Sequence, residues 1–275
     1  MRKIIEKINK KGILSAFIVI LAYSLLSTIK HSPSLPSVDK IAKAGMAIVL
    51  SESFATNALY TIRIVITGIL IALTGGFVIA VICSMFAVPR ALIMPIINAT
   101  KNIPSIALFP LFIVLMGIGD EPRIFVIIWN STYPIIASIM AGLNSVDKDI
   151  VDAALNCGAG KKDLYFRIKI PLSFINLLEG LKISAGNGFV AIVVAEMLGA
   201  TKGLGYMILW SANAFKYPDM YFYILVVALI GLTINVAIEK LINFTERKMY
   251  YEEGNKYFSR SSTCINDADG VRSKG

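Results

Sequence analysis

Side chains able to do chemistry are sparse in this chain, and their spacing excludes most reactions. His31 is the single histidine, and one imidazole anchors no metal site. Cys83, Cys157 and Cys264 are scattered without CxxC or metal-like spacing, so neither a metal centre nor a disulfide framework follows. No G-x-x-x-x-G-K-[ST] run is present to wrap phosphates in backbone amides, and Gly158 and Gly160 open no such loop. No nucleophile–base pair and no carboxylate pair converges near one point of the sequence. The expectation is a chain with no catalytic residue, no metal and no cofactor of its own.

Three polar features remain. Glu196 is the one acid in the apolar run from Ile183 to Thr201. A carboxylate at the centre of a membrane helix costs about 2.5–3.5 kcal/mol on insertion scales, so it faces the bundle interior and takes a partner. Two roles stay open for it: lining or gating a path, or a structural hydrogen bond to backbone amides around Gly203–Gly205. Asn187 and Asn130, with Ser131 and Trp129, could line the same path, or merely join helices. The third feature is the polar, lysine-rich stretch VDAALNCGAGKKDLYFRIKIP, Val151 to Pro171. Asp147 or Asp149 can cap a short helix in which Ile150 and Ala154, or Val151 and Leu155, fall one turn apart, and Gly158 supplies the stop. A second short helix runs through Leu164, Tyr165 and Ile168 until Pro171 closes it. Read blandly, this is a solvated loop between membrane spans.

The elements around these features are membrane helices. Apolar residues make up 56% of the chain and mean hydropathy is +0.70, outside the range of soluble domains. The basic segment 1–11 precedes a charge-free run over 12–29, long enough to span a bilayer. That run is longer than a signal-peptide core and is followed by no small-x-small cleavage site, so it reads as an uncleaved first span. Residues 30–60 form an external loop, Pro33 and Pro36 within it, and an amphipathic interfacial helix. The core, 61–240, then holds a second span over 64–89 and a short polar turn from Arg90 to Lys101. A third span covers 102–119, bent or broken by Pro104 and Pro110, and a fourth covers 124–146. The cytoplasmic loop 147–182 and a fifth span over 183–201 follow. Residues 202–219 are re-entrant or external, 220–238 is the sixth span, and 241–275 is a polar tail, disordered from Glu252. Most of the 27 basic residues then fall on the side of the N-terminus, Lys148, Lys161, Lys162, Arg167, Lys169 and Lys182 in the central loop among them. The positive-inside rule therefore places both termini and that loop in the cytoplasm. The basic balance reflects topology and lipid contact, and no nucleic-acid partner.

Asp152-Ala153-Ala154, three residues, Gly158, nine residues, then Ile168-x-Ile170-Pro171 resembles the EAA signature of ABC-transporter permeases, with Asp152 in place of the usual Glu and Ile170 in place of Leu. Pro104-Ser105 with Leu108-Phe109-Pro110-Leu111 and Gly117-Ile118-Gly119 looks like the nitrate/sulfonate/taurine-type branch. So does Ala195-Glu196-Met197-Leu198-Gly199 followed by Gly203-Leu204-Gly205-Tyr206. The likeness covers residues 59–231. It implies an all-α polytopic subunit of about six helices in the bacterial cytoplasmic membrane, the translocation path of an ATP-driven importer. It implies a coupling loop, Asp152, Ala153, Ala154, Leu155, Gly158, Ala159, Ile168 and Pro171, docked on an ABC ATPase. Two copies of that ATPase would hydrolyse the ATP; the other partners would be a second permease chain, as a homodimer, and an external solute-binding protein. The implied solute is a small anion or related compound. An ion-gradient-driven secondary transporter is the competing reading; it calls for inverted repeats and ion-coupling residues, and only Glu196 qualifies.

Overall fold

The computed structural model describes residue 18 and residues 21–29 and 32–272, with side chains to Arg247. Every described element is helical. A short helix over 21–29 (α1) leads through the Pro33 and Pro36 loop to α2 (Val38–Val49). This amphipathic helix buries Ile41, and its Gly45 lies against the Phe222 ring. Of the expected first span, 12–29, residue 18 and residues 21–29 are helical, and the rest lie outside the described residues. Among the described residues, four helices are long and apolar enough to cross a membrane: α3 (Glu52–Met85), α6 (Asp120–Ser145), α10 (Phe174–Gly199) and the part of α12 (Tyr217–Arg272) up to Arg247. α3 starts well before the expected second span, capped by the Ser51 hydroxyl, which accepts the Phe54 N–H at 3.3 Å.

The bundle is built on α6, which packs between α3 and α10. Small residues set the approach: Gly68 and Gly76 of α3 lie against Ile127 and Ile135, and Gly188 of α10 lies against Ile127 and Ser131. Ser131 and Ser184 exchange hydrogen bonds across the α6–α10 contact, each hydroxyl donating to the other residue's carbonyl, at 3.2 and 2.8 Å. Ile135, Ile136, Ile139 and Leu143 fill the core toward one end of α6, with Ile127 and Val126 toward the other.

The third pass departs from the sequence reading. The expected polar turn Arg90–Lys101 is a helix, α4 (Ala87–Thr100), because only its ends are charged and Ala91–Thr100 is an unbroken uncharged run. The expected span 102–119 is not one helix. Pro104 keeps Ile103 out of the α region, and the chain restarts as a 3-10 turn (Ser105–Leu108) and α5 (Phe109–Met116), with Pro110 in its first turn. Ile93, Met94 and Ile97 of α4 join the core shared by Ala72–Cys83 of α3 and Ile135–Leu143 of α6, while Phe112 of α5 packs on Phe125 and Trp129. One pass is thus made by two half-helices with the break between them.

Two boundaries also move. α10 begins at Phe174, not near Ile183, because Phe174, Leu177, Leu178 and Leu181 recur at helical spacing; Lys182 belongs to α10 and pairs with Glu239 of α12 at 3.0 Å. The segment expected as a disordered tail from Glu252 keeps helical backbone to Arg272, in a stretch that has no proline to stop it. Between α10 and α12, the expected re-entrant stretch is α11 (Leu204–Asn213), with Leu204 and Ile208 buried.

Candidate functional site

Two polar sites stand at opposite ends of the bundle. The first is the 147–173 loop. Asp147 caps α7 (Lys148–Asn156), its carboxylate accepting the Asp149 N–H at 3.0 Å. Gly158 ends the helix with φ +84, and its N–H donates to Leu155 O at 2.9 Å while the Ala159 N–H donates to Ala154 O at 3.0 Å. That pair of bonds is the Schellman motif, and it requires the left-handed conformation at Gly158. Asp152, Ala153, Leu155, Gly158 and Pro171 are exposed, and Ala154, Ala159 and Ile168 are half-buried. Ile150 is 45%, Leu155 48% and Phe166 59% exposed, an apolar surface on a segment otherwise rich in lysine.

The second short helix does not stop at Pro171. α8 (Lys161–Asp163) passes into a π-helical turn over Leu164–Lys169 and then α9 (Ile170–Leu172). Pro171 sits in the first turn of α9, where its missing N–H leaves no bond unmade. The π turn directs Tyr165 at the end of α3: its hydroxyl donates to Ser84 O at 2.6 Å. Buried Leu164 and Ser173 fix the two sides of the segment.

The second site surrounds Glu196, which is fully buried at the far end of α10. Its Oε1 accepts the Thr61 hydroxyl at 2.8 Å and its Oε2 accepts the Gly205 N–H at 2.8 Å. Thr61 Oγ1 accepts the Leu204 N–H at 2.9 Å, and Asn57 Oδ1 accepts the Gly203 N–H at 2.7 Å. Three successive N–H groups that open α11 are thus held by α3 and α10, with a carboxylate at the positive end of the α11 dipole. Gly203, at φ +111, has no room for a Cβ beside the Glu196 carboxyl group. Next to it, buried Arg123 donates to Gly199 O at 2.7 Å, to the Tyr60 hydroxyl at 2.9 Å, and lies 3.5 Å from Asp120, to which Tyr60 also donates.

Of the residues singled out along the sequence, Glu196 meets the Gly203–Gly205 amides. Asn130 and Asn187 meet each other, the Asn130 amide donating to Asn187 O at 3.0 Å. Neither asparagine touches Glu196, so the structure separates one buried clip from one pair at mid-helix. Asn57, Thr61, Tyr60 and Arg123 are the residues the sequence reading missed. The i,i+4 spacing of Asn57 and Thr61 on one face of a long apolar helix was the available signal.

Comparison with known proteins bears on all of this. Residues 72–251, more than half the chain, match the family model for the binding-protein-dependent transport system inner membrane component. The formylaminopyrimidine transport permease protein of Halalkalibacterium halodurans is 29% identical over 76% of this chain and 83% of its own. The taurine transport system permease protein of Escherichia coli is 27% identical over 75% of this chain and 77% of its own. The nitrate import permease protein of Synechococcus elongatus is 28% identical over 72% of this chain and 70% of its own. In fold, the chain resembles a subunit of the MetNI methionine ABC transporter in inward-facing conformations, with a TM-score of 0.59 at 16% identity over 66% of this chain and 91% of that one. With its helical bundle and the loop between α6 and α10, the chain belongs to the family of binding-protein-dependent transport system inner membrane components, the membrane-spanning permeases of ABC importers.

Proposed function

We propose that this permease imports a small organic or inorganic anion, of the sulfonate, nitrate or taurine kind or a related compound, across the bacterial cytoplasmic membrane. Two permease chains form the path as a homodimer, with both termini and the 147–173 loop in the cytoplasm. Two ATPase subunits hydrolyse the ATP, and an external binding protein delivers the solute. This chain binds no cofactor. Asp152, Ala153, Ala154, Leu155, Gly158, Ala159, Ile168 and Pro171 shape the surface that meets the ATPase; Asn130 and Asn187 line the path; Glu196 holds α11 in place as part of its gate.

The observation that carries this reading is the loop itself. A short helix ended by a left-handed glycine presents Ile150 and Leu155 outward, with Phe166 exposed on the turn that follows. An apolar surface on an aqueous segment marks a protein contact, and the tie of Tyr165 to α3 gives that contact a route into the bundle. The solute class is supported by the names of the taurine and nitrate relatives.

The test is reconstitution of the permease in proteoliposomes with its ATPase and binding protein, followed by uptake of taurine and of nitrate. Uptake of at least one is expected to require ATP and all three components. Uptake that persists without the ATPase and follows an ion gradient would sink the proposal.

A further inference from the structure

The break in the third pass puts a cation where the bilayer is thickest. α6 has 26 residues, about 39 Å at 1.5 Å per residue, and Tyr133 lies midway between Asp120 and Ser145. Lys101, the residue on which α4 ends, places Nζ 3.3 Å from the Tyr133 hydroxyl and 5.0 Å from its ring centre. The ammonium group therefore sits at the mid-depth of the bundle, not in the short polar turn at the bilayer surface that the sequence suggested. Half of a hydrocarbon core roughly 30 Å thick is beyond the reach of a four-carbon side chain, so snorkelling to either surface is closed to it.

No acidic side chain among the described residues pairs with Lys101. Its neighbours are uncharged: the polar Thr100, Thr132 and Tyr133, with Ile97, Phe125, Ile128 and Trp129, line a cavity of about 170 Å3 beside it. Asn130 lies one turn from Tyr133 on α6, and it bonds Asn187, the middle residue of α10. Polar groups of three successive passes thus meet at one depth. An unpaired cation at a membrane's centre costs several kcal/mol unless it faces water or an anion, and a broken helix is tolerated there only where it is buried or lines a wet cavity. Both conditions point to the solute path and not to lipid.

We infer that Lys101, oriented by Tyr133, is the point at which a negatively charged group of the solute is held as it crosses the middle of the membrane. The inference rests on the proposed anionic solute class, and its test does not depend on that solute. In a permease whose three cysteines are replaced, Tyr133→Cys is introduced as a reporter beside Lys101, with Asn130→Cys as a second reporter. The permease–ATPase complex in lipid nanodiscs is then exposed to anionic sulfonatoethyl and to cationic trimethylammonioethyl methanethiosulfonate. Modification by the anionic reagent is expected to be favoured, and Lys101→Gln should lower the anionic-to-cationic rate ratio about tenfold while Lys101→Arg keeps it. Failure of both reporters to react, or a ratio that Lys101→Gln leaves unchanged, overturns the inference. Uptake of taurine and nitrate is measured in parallel. Loss of the solute assignment would then show as absent uptake with the reagent preference intact, a result that keeps the cationic site.

Discussion

The Glu196 clip shows how a costly group is made harmless. Both carboxylate oxygens are satisfied, and every donor they take comes from an element that must be held still: α3 through Thr61 and the start of α11 through Gly205. Glutamine can keep this pattern. Its carbonyl oxygen can accept the Gly205 N–H, and its amide can donate to Thr61 Oγ1, whose own hydroxyl then turns to Asn57 O at 3.2 Å. Alanine cannot: Thr61 can still turn to Asn57 O, but the buried Gly205 N–H is left without an acceptor, at about 1–3 kcal/mol, and the space of the lost carboxyl group stays empty. Glu196→Gln is therefore expected to reach the membrane and unfold within a few degrees of the wild type in detergent, with most uptake retained. Glu196→Ala should accumulate poorly and unfold at clearly lower temperature. A glutamine variant that is stable but transports nothing would make the charge, and not the hydrogen bonds, the working feature.

At the scale of the element, Gly158 is where the proposed coupling role can be tested apart from folding. Its φ of +84 is disfavoured for a residue with a Cβ by roughly 1–2 kcal/mol, yet a Cβ there meets nothing within 4 Å. A substitution should reshape the end of α7 without disturbing the bundle. Gly158→Val, and Ala154→Trp one turn earlier, should insert normally while losing both uptake and solute-stimulated ATP hydrolysis in the assembled transporter; full uptake in either would mean that the loop only connects two spans. This glycine was readable in advance because a helix stop between polar residues is a local signal. So were α6, α10 and α12, whose apolar runs are long enough to identify by length alone. The two half-helices α4 and α5 were not, since Arg90 and Lys101 bracket the first and look like the ends of a loop. Arg123 does not stand out in the sequence, because its partners, Tyr60 and Gly199, lie far away in the chain. Asn57 and Thr61 were hidden for the same reason: their value lies in two amides more than a hundred residues downstream.

For the molecule as a whole, α3 touches both sites by side-chain hydrogen bonds, and α10 links them along the chain. Near one end of α3, Asn57 and Thr61 hold the start of α11; at the other, Ser84 O accepts the Tyr165 hydroxyl of the 147–173 loop at 2.6 Å. Its 34 residues make a rod of about 51 Å, and Gly68 and Gly76 sit tightly on Ile127 and Ile135 of α6. A displacement of the loop by the ATPase would then move the rod and, through it, the clip around Glu196. Tyr165→Phe removes the bond to Ser84 and keeps the ring, a loss of about 1 kcal/mol in stability, so the variant should fold and insert. The expected effect is on the ratio of solute taken up to ATP hydrolysed in proteoliposomes. That ratio should fall severalfold while hydrolysis stimulated by the loaded binding protein continues, because the docking surface of α7 is untouched. An unchanged ratio would mean that the loop drives the bundle by another contact, and the route through α3 would have to be given up.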